Sequence, residues 1–90
     1  MAGREAVVKA IDKLADAFVK AAPETRQAMS WTEKVCASLA IVASHGAECR
    51  VPYGIGSEAL YVRGLRLSDE ERAAMADAGW TEGGEGFWRL

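Results

Sequence analysis

The sequence predicts an α+β domain: two N-terminal helices packed on a small antiparallel sheet, with a third short helix between strands. Three observations lead to this prediction. Apolar residues recur at helical spacing in the N-terminal half, short alternating segments follow in the C-terminal half, and glycines separate these segments. The 90 residues suffice for a single domain, residues 1–90, with a limited core.

The first helix is predicted over residues 4–22. Its apolar stripe consists of Val7, Ile11, Leu14 and Phe18. These positions are four, three and four residues apart, and charged residues occupy the opposite side of the helix. Pro23 ends this helix, because proline disfavours the α conformation of the preceding residue. The connector over 23–29 favours a single helical turn that starts at the proline.

The second helix is predicted over residues 30–46. Ser30 and Glu33 have the spacing of a capping box, and Gly46 suits the left-handed residue that follows many helices. Small and apolar residues occupy most sides of this helix, which indicates that it lies at the centre of the fold. We therefore expect Cys36, within the apolar run, to be buried.

Residues 48–90 are predicted to form a strand, a strand, a helix and a hairpin. Alternating residues predict strands over 48–53 and 58–63, joined by a glycine turn at 54–56. Pro52 marks the first of them as an edge strand, since proline has no backbone N–H to donate.

The third helix and the hairpin complete the predicted chain. Ser68 is the expected N-cap of the helix, and Gly79 is its expected stop. After it, residues 80–82 are predicted to pair with residues 87–90 across a glycine-rich turn. In that hairpin, strand alternation places Phe87 and Trp88 on opposite faces.

The charge of the chain is unevenly distributed. The formal net charge is −2, but residues 68–90 hold two basic and six acidic side chains, a local charge of about −4. An acidic balance argues against direct binding of nucleic acid and favours a basic protein surface as partner. The alternative is a solvated acidic face that keeps a small domain soluble.

The sequence has no signature of catalysis, cofactor binding or metal binding. Cys36, His45 and Cys49 are the only soft metal ligands, whereas a zinc site needs four. Glycine-rich segments lack the Lys-Ser/Thr pair of a phosphate loop. We therefore predict a non-enzymatic protein without cofactor or metal. The enzymatic alternative relies on Cys49 and His45, and it requires an activated thiol.

The same composition predicts a cytoplasmic protein that does not bind a membrane. No charged leader followed by an apolar segment begins the chain, and no apolar run is long enough to cross a bilayer. In the cytoplasm both cysteines are expected to be reduced.

The predicted partner-binding site combines the acidic C-terminal residues with one aromatic anchor. One of the two neighbouring hairpin aromatics must face away from the helices, and we expect an exposed anchor of the hot-spot type there, with Trp31 as a second candidate. The residues assigned to the site are Asp69, Glu70, Asp77, Glu82, Glu85 and Trp88.

The segment from Leu65 to Trp88 runs from a strand through a short acidic helix to Gly79-Trp80 and an acidic aromatic hairpin. This segment resembles the C-terminal part of small proteins from phages and mobile elements, among them anti-CRISPR proteins. The resemblance covers about the last quarter of the chain and transfers no functional residue. It implies an inhibitor or adaptor that blocks a surface of a larger host complex, such as a Cas effector.

The predicted function is therefore stoichiometric protein binding, with inhibition of a host nucleic-acid-handling complex as its specific form. Its acidic face would be steered to a basic groove and held by an aromatic side chain. The alternatives are a homo-oligomeric structural or adaptor module, in which the outward aromatic face forms a homodimer interface, and the small Cys/His enzyme.

Overall fold

A computed structural model describes residues 2–51 and 60–90, and it has the predicted α+β class. Three helices precede the sheet and a fourth lies between its strands. The elements are α1 (Ala2–Lys20), α2 (Pro23–Ala28), α3 (Trp31–Ser44), β1 (Tyr61–Val62), α4 (Asp69–Asp77), β2 (Thr81–Gly84) and β3 (Phe87–Arg89). The predicted turn at 54–56 and the edge residue Pro52 lie outside the described residues.

The sheet is antiparallel with the strand order β1-β3-β2. Strand β3 is central: Trp88 lies opposite Val62 on one side and opposite Glu82 on the other. The predicted hairpin is confirmed as β2 and β3. The predicted strand over 48–53 is represented in the described residues only by a bridge between Arg50 and Tyr61, and Val51 is exposed.

The predicted capping box at Ser30 is confirmed, and the predicted N-cap Ser68 also forms one. The Ser30 hydroxyl accepts a hydrogen bond from the Glu33 backbone N–H at 3.1 Å, and the Glu33 carboxylate accepts one from the Ser30 N–H at 2.8 Å. Ser68 and Glu71 form the same reciprocal pair at the start of α4. Because these bonds satisfy backbone donors at the helix ends, local sequence alone fixes where α3 and α4 begin.

The core lies between the helices and the inner face of the sheet. Its centre is Ile41, Val42 and Met75, from α3 and α4, and the sheet contributes Val62 and Trp88. The indole N–H of Trp80 donates a hydrogen bond of 2.8 Å to the buried hydroxyl of Ser38. This bond satisfies the polar groups of both side chains, so the central helix and the hairpin can bury them together.

Arg26, in α2, is the buried charge that joins three helices. Its side chain is 5% exposed, and its Nε donates a 2.7 Å hydrogen bond to the Asp77 carboxylate at the end of α4. Its Nη1 donates to the carbonyls of Phe18, Val19 and Ala21, at 3.2, 3.1 and 2.8 Å. These carbonyls are at the C-terminal end of α1, where helices leave backbone acceptors unsatisfied.

Two predictions about buried helical residues are wrong. Val7 and Leu14 of the predicted α1 stripe are 59% and 45% exposed, because α1 packs on α3 through Ala15 and Phe18, a neighbouring side of the helix. Cys36 is also exposed, since α3 turns Ala37, Ala40 and Ile41 inward instead. The helical period predicts which side of each helix is apolar. The angle at which the helices pack decides which part of that side is buried against a neighbouring helix.

Candidate functional site: the outer face of the sheet

The structure does not assemble the predicted acidic residues into one free surface. Asp77 is engaged by Arg26, and Glu82 is engaged by Arg72 of α4. Asp69, Glu70 and Glu85 are exposed, but the first two lie in the first turn of α4 and the third lies in the turn between β2 and β3. Because the Asp69 carboxylate also lies 3.9 Å from Arg72, three of the five predicted carboxylates already have partners within the fold.

Trp88 does not provide the predicted exposed anchor. Its side chain is 3% exposed and belongs to the core, on the inner face of the sheet next to Val62. The alternation of neighbouring hairpin residues is confirmed, but Phe87 is the one that faces outward. The exposed tryptophan is the second candidate, Trp31, which is 68% exposed at the first position of α3.

The outer face of the sheet presents two stacked aromatic rings. The ring centroids of Tyr61 and Phe87 are 5.9 Å apart, with 28° between the ring planes. Both side chains are half-buried, and the Phe87 ring lies over Gly83 of β2, where an added Cβ would come within 2.8 Å of the ring. Glycine at this position thus lets the ring lie flat against the sheet.

Three arginines surround this aromatic pair. The guanidinium carbon of Arg63 lies 5.5 Å from the Tyr61 ring centroid and 6.0 Å from that of Phe87, within the range of cation–π attraction. Arg89 and Arg50 both lie directly opposite Tyr61 in the strand pairing, which places them on the same face. All three arginines are exposed. We call these five residues, Arg50, Tyr61, Arg63, Phe87 and Arg89, the arginine–aromatic face.

A cleft opens at one side of the arginine–aromatic face. It has a volume of about 490 Å³ and is lined by Glu48, Arg50, Tyr61 and Arg63. Two arginines at its wall supply planar donors that suit a carboxylate or phosphate group, and the tyrosine ring supplies apolar contact area. The arrangement can therefore bind an anionic group next to a flat or apolar one.

Sequence reasoning missed the arginine–aromatic face, although its signal is present. Tyr61-Val62-Arg63 and Phe87-Trp88-Arg89 are both aromatic–apolar–arginine triplets. In a strand, the first and third residues of each triplet share a face, and the middle residue points to the other one. The two triplets lie on paired strands, so the sheet places them side by side.

His45 and Glu71 form a separate polar contact between α3 and α4. The His45 Nε2 and the Glu71 Oε2 lie 2.6 Å apart. Partial burial by itself raises the pKa of Glu71, but hydrogen bonds from His45 and Ser68 and the charge of His45 outweigh it, so that the pKa lies below its ordinary value. The carboxylate thus caps α4 and links it to the end of α3.

We expect this contact to make stability sensitive to acid. A carboxyl with a depressed pKa stabilises the fold fully above its ordinary pKa of 4.5, and the contribution disappears as the pH falls through the folded-state value. Glu71→Gln should therefore lower the free energy of unfolding by about 0.5–1 kcal/mol at pH 7 and by much less at pH 3. Urea unfolding at both pH values measures this, with the exposed Glu70→Gln as control. An equal loss at both pH values would contradict the assignment.

The Cys49 thiol lacks the activation that the enzymatic alternative requires. Burial raises the pKa of the Cys49 thiol, whereas a nucleophilic thiol needs a lowered one. Within residues 2–51 and 60–90, no three His, Cys, Asp or Glu side chains come together as a metal site requires. Among the described helices, none has both the length and the hydropathy needed to cross a bilayer.

Comparisons with known proteins give no indication of function, so a functional proposal must rely on the geometry described above. No protein-family model, curated protein or solved structure matches the chain.

Proposed function

We propose that this protein is a non-enzymatic binding protein whose arginine–aromatic face holds an acidic patch of a protein partner. The observation on which the proposal depends is the convergence of three exposed arginines on a stacked Tyr61–Phe87 pair at the outer side of the sheet. Arginine and aromatic side chains are enriched where protein interfaces concentrate their binding energy. The charge of the proposed contact is the opposite of the sequence-based prediction, which relied on acidic residues.

The size and charge of the face favour a protein partner over nucleic acid. It holds three arginines, and Glu48 lies in the adjoining cleft. The chain as a whole has a charge of −2, and α4 begins with three carboxylates. An extended polyanion would gain few phosphate contacts and would meet like charge beyond the face, whereas a discrete acidic patch needs only the local site.

More specifically, we propose that the protein is an inhibitor or adaptor of a larger host complex, as the resemblance to anti-CRISPR proteins implies. Two properties support it: the raised pKa of Cys49 does not favour the enzymatic alternative, and the cleft beside the arginine–aromatic face is open to solvent rather than an enclosed cavity. In this proposal the face acts by occupying an acidic surface of the complex, and the protein is cytoplasmic.

The double variant Arg50→Glu/Arg63→Glu tests the face. We expect partner affinity to fall by at least about tenfold, because charge reversal removes two guanidinium contacts and adds repulsion. The partner is first captured from nuclease-treated bacterial lysate on the tagged wild-type protein and then titrated as a purified component. The matched control is Arg4→Glu/Arg66→Glu, which changes the net charge equally at exposed arginines outside the face.

Three outcomes would contradict the proposal. The first is equal binding of a purified partner by wild type and the sheet variant. The second is a loss that the control shares, which would indicate net charge rather than the face. The third concerns a labelled single strand of twelve thymidine nucleotides. If the wild-type protein binds this strand and Arg50→Glu/Arg63→Glu does not, the face binds nucleic acid instead.

A further inference from the structure

Helix α1 has a continuous apolar line that the fold leaves uncovered. The line consists of Val7, Ala10, Leu14 and Ala17 of α1, and the half-buried Ala21, just after the end of α1, continues it. These positions are alternately three and four residues apart, the spacing that places residues along one side of a helix that contacts another helix. Val7 and Leu14 are 59% and 45% exposed, and every residue from 3 to 10 is exposed. We call this line the α1 seam.

The α1 seam continues into a groove between helices. The groove has a volume of about 190 Å³, and its lining includes Leu14, Ala17 and Ala21 of the seam together with Thr25, Met29 and Ala37. Among the described residues that line the groove, Thr25 has the one polar side chain. Small residues in the seam allow a partner backbone to approach closely, and Leu14 stands between the groove and the N-terminal part of the seam.

Basic side chains border the α1 seam on the side that faces away from the core. Lys9, Lys13 and Lys20 each precede a seam residue and therefore lie about a quarter turn round the helix from it. Asp16 lies 3.1 Å from Lys20 and offsets its charge. The border thus has a net positive charge, contributed mainly by Lys9 and Lys13.

We propose that the α1 seam and its groove bind an amphipathic helix of a partner protein, with an apolar stripe flanked by acidic residues. The seam supplies the apolar contact and the lysine border selects the charge of the incoming helix. A second copy of this chain fits less well. In an antiparallel pair of seams, Val7 would lie opposite Ala17 of the copy, and Ala10 opposite Leu14. The two-fold axis of this pair passes near residue 12, so the two positively charged Lys13 side chains would meet there and repel each other.

Two designed peptides test the proposal directly. Both have 21 residues in three heptads, with leucine at a and alanine at d; one has glutamate at e and g, and the other has lysine there. We expect the acidic peptide to bind with a Kd on the order of 10–100 μM, as suits a small interface, and the basic peptide at least about tenfold more weakly. Fluorescence anisotropy of the labelled peptides gives both values.

Two variants locate the binding. Lys9→Glu/Lys13→Glu changes only exposed residues and should reverse the preference between the peptides, whereas Leu14→Asp should weaken both. Circular dichroism confirms that the variants are folded. Arg50→Glu/Arg63→Glu serves as the control and should bind the acidic peptide as wild type does, which separates this site from the sheet.

Other results would overturn the inference. Binding of neither peptide at 1 mM, or equal binding of both, would remove the acidic helix as occupant. A concentration-dependent dimer that Leu14→Asp abolishes, measured by analytical ultracentrifugation, would assign the seam to a second copy. Co-sedimentation with anionic phosphatidylserine vesicles that both seam variants abolish would assign it to a lipid surface.

Discussion

Replacing Arg26 with alanine is expected to lower the free energy of unfolding by about 3–5 kcal/mol, a large part of the stability of a domain of this size. The substitution leaves the carbonyls of Phe18, Val19 and Ala21 without the donor that α2 supplies, and it leaves the Asp77 carboxylate without its partner. Removing a buried charged partner costs more than its contacts contribute, because the Phe18 carbonyl stays buried and the other acceptors, including the half-buried Asp77 carboxylate, stay only partly hydrated. Urea unfolding measures the change.

Arg26→Lys and Asp77→Asn refine this prediction. Lysine keeps the charge but lacks the planar fork that reaches the helix end and the carboxylate together, so it should recover only part of the loss. Asp77→Asn retains the carbonyl contacts and should cost less than Arg26→Ala. A loss below about 1 kcal/mol for Arg26→Ala would show that the contacts of this buried guanidinium contribute little.

Replacing Trp88 with alanine is expected to cost about 3–5 kcal/mol of unfolding free energy, because it empties a large volume on the sheet side of the core. Trp88 is 3% exposed, whereas Trp31 is 68% exposed, so Trp31→Ala makes the same chemical change at the surface. We expect that control to lie within about 0.5 kcal/mol of wild type. Thermal and urea unfolding of both variants compare the two sites.

Measurements of partner binding should distinguish Phe87, on the outer face of the sheet, from Trp88 in the core. Phe87→Ala, on the outer face, should weaken binding at the arginine–aromatic face with a smaller loss of stability than Trp88→Ala. The opposite pattern, with Trp88→Ala folded at wild-type stability and deficient only in binding, would restore Trp88 as an exposed anchor and contradict its burial in the core.

The two proposed surfaces differ in the kind of contact they offer. The arginine–aromatic face is cationic, and one of its three guanidinium groups, that of Arg63, lies against the stacked rings. The α1 seam is apolar and uses charge only at its border. Both proposals therefore suit partners with acidic groups, but charge reversal on the sheet and on α1 should affect different probes.

Much of the fold is predictable from the sequence because its signals are local. The two Ser-x-x-Glu boxes fix the starts of α3 and α4, since a hydroxyl and a carboxylate three residues away satisfy backbone donors without help from distant residues. Pro23 separates α1 from α2 for a similarly local reason. Alternation around Phe87 and Trp88 also predicts opposite faces, although it does not say which face is inside.

The tertiary structure alone decides which of the predicted surfaces are free. Asp77 is engaged by Arg26, which lies 51 residues away in the chain, and no sequence spacing predicts that pair. The packing angle of α1 on α3 leaves Val7 and Leu14 exposed within an apolar stripe that looks like a core face in sequence. Pairing of β1 with β3 brings two distant aromatic–apolar–arginine triplets together.

The sequence by itself thus determined the class of the fold, the starts of α3 and α4 and the alternation of the hairpin, because each depends on backbone groups and neighbours within a few residues. The packing of elements distant in the chain decided which side chains are buried, paired or brought together. Burial and ion pairing depend on which side of each element meets another, so packing buried Trp88, paired Asp77 with Arg26, and placed the sheet arginines on the face that carries Tyr61 and Phe87.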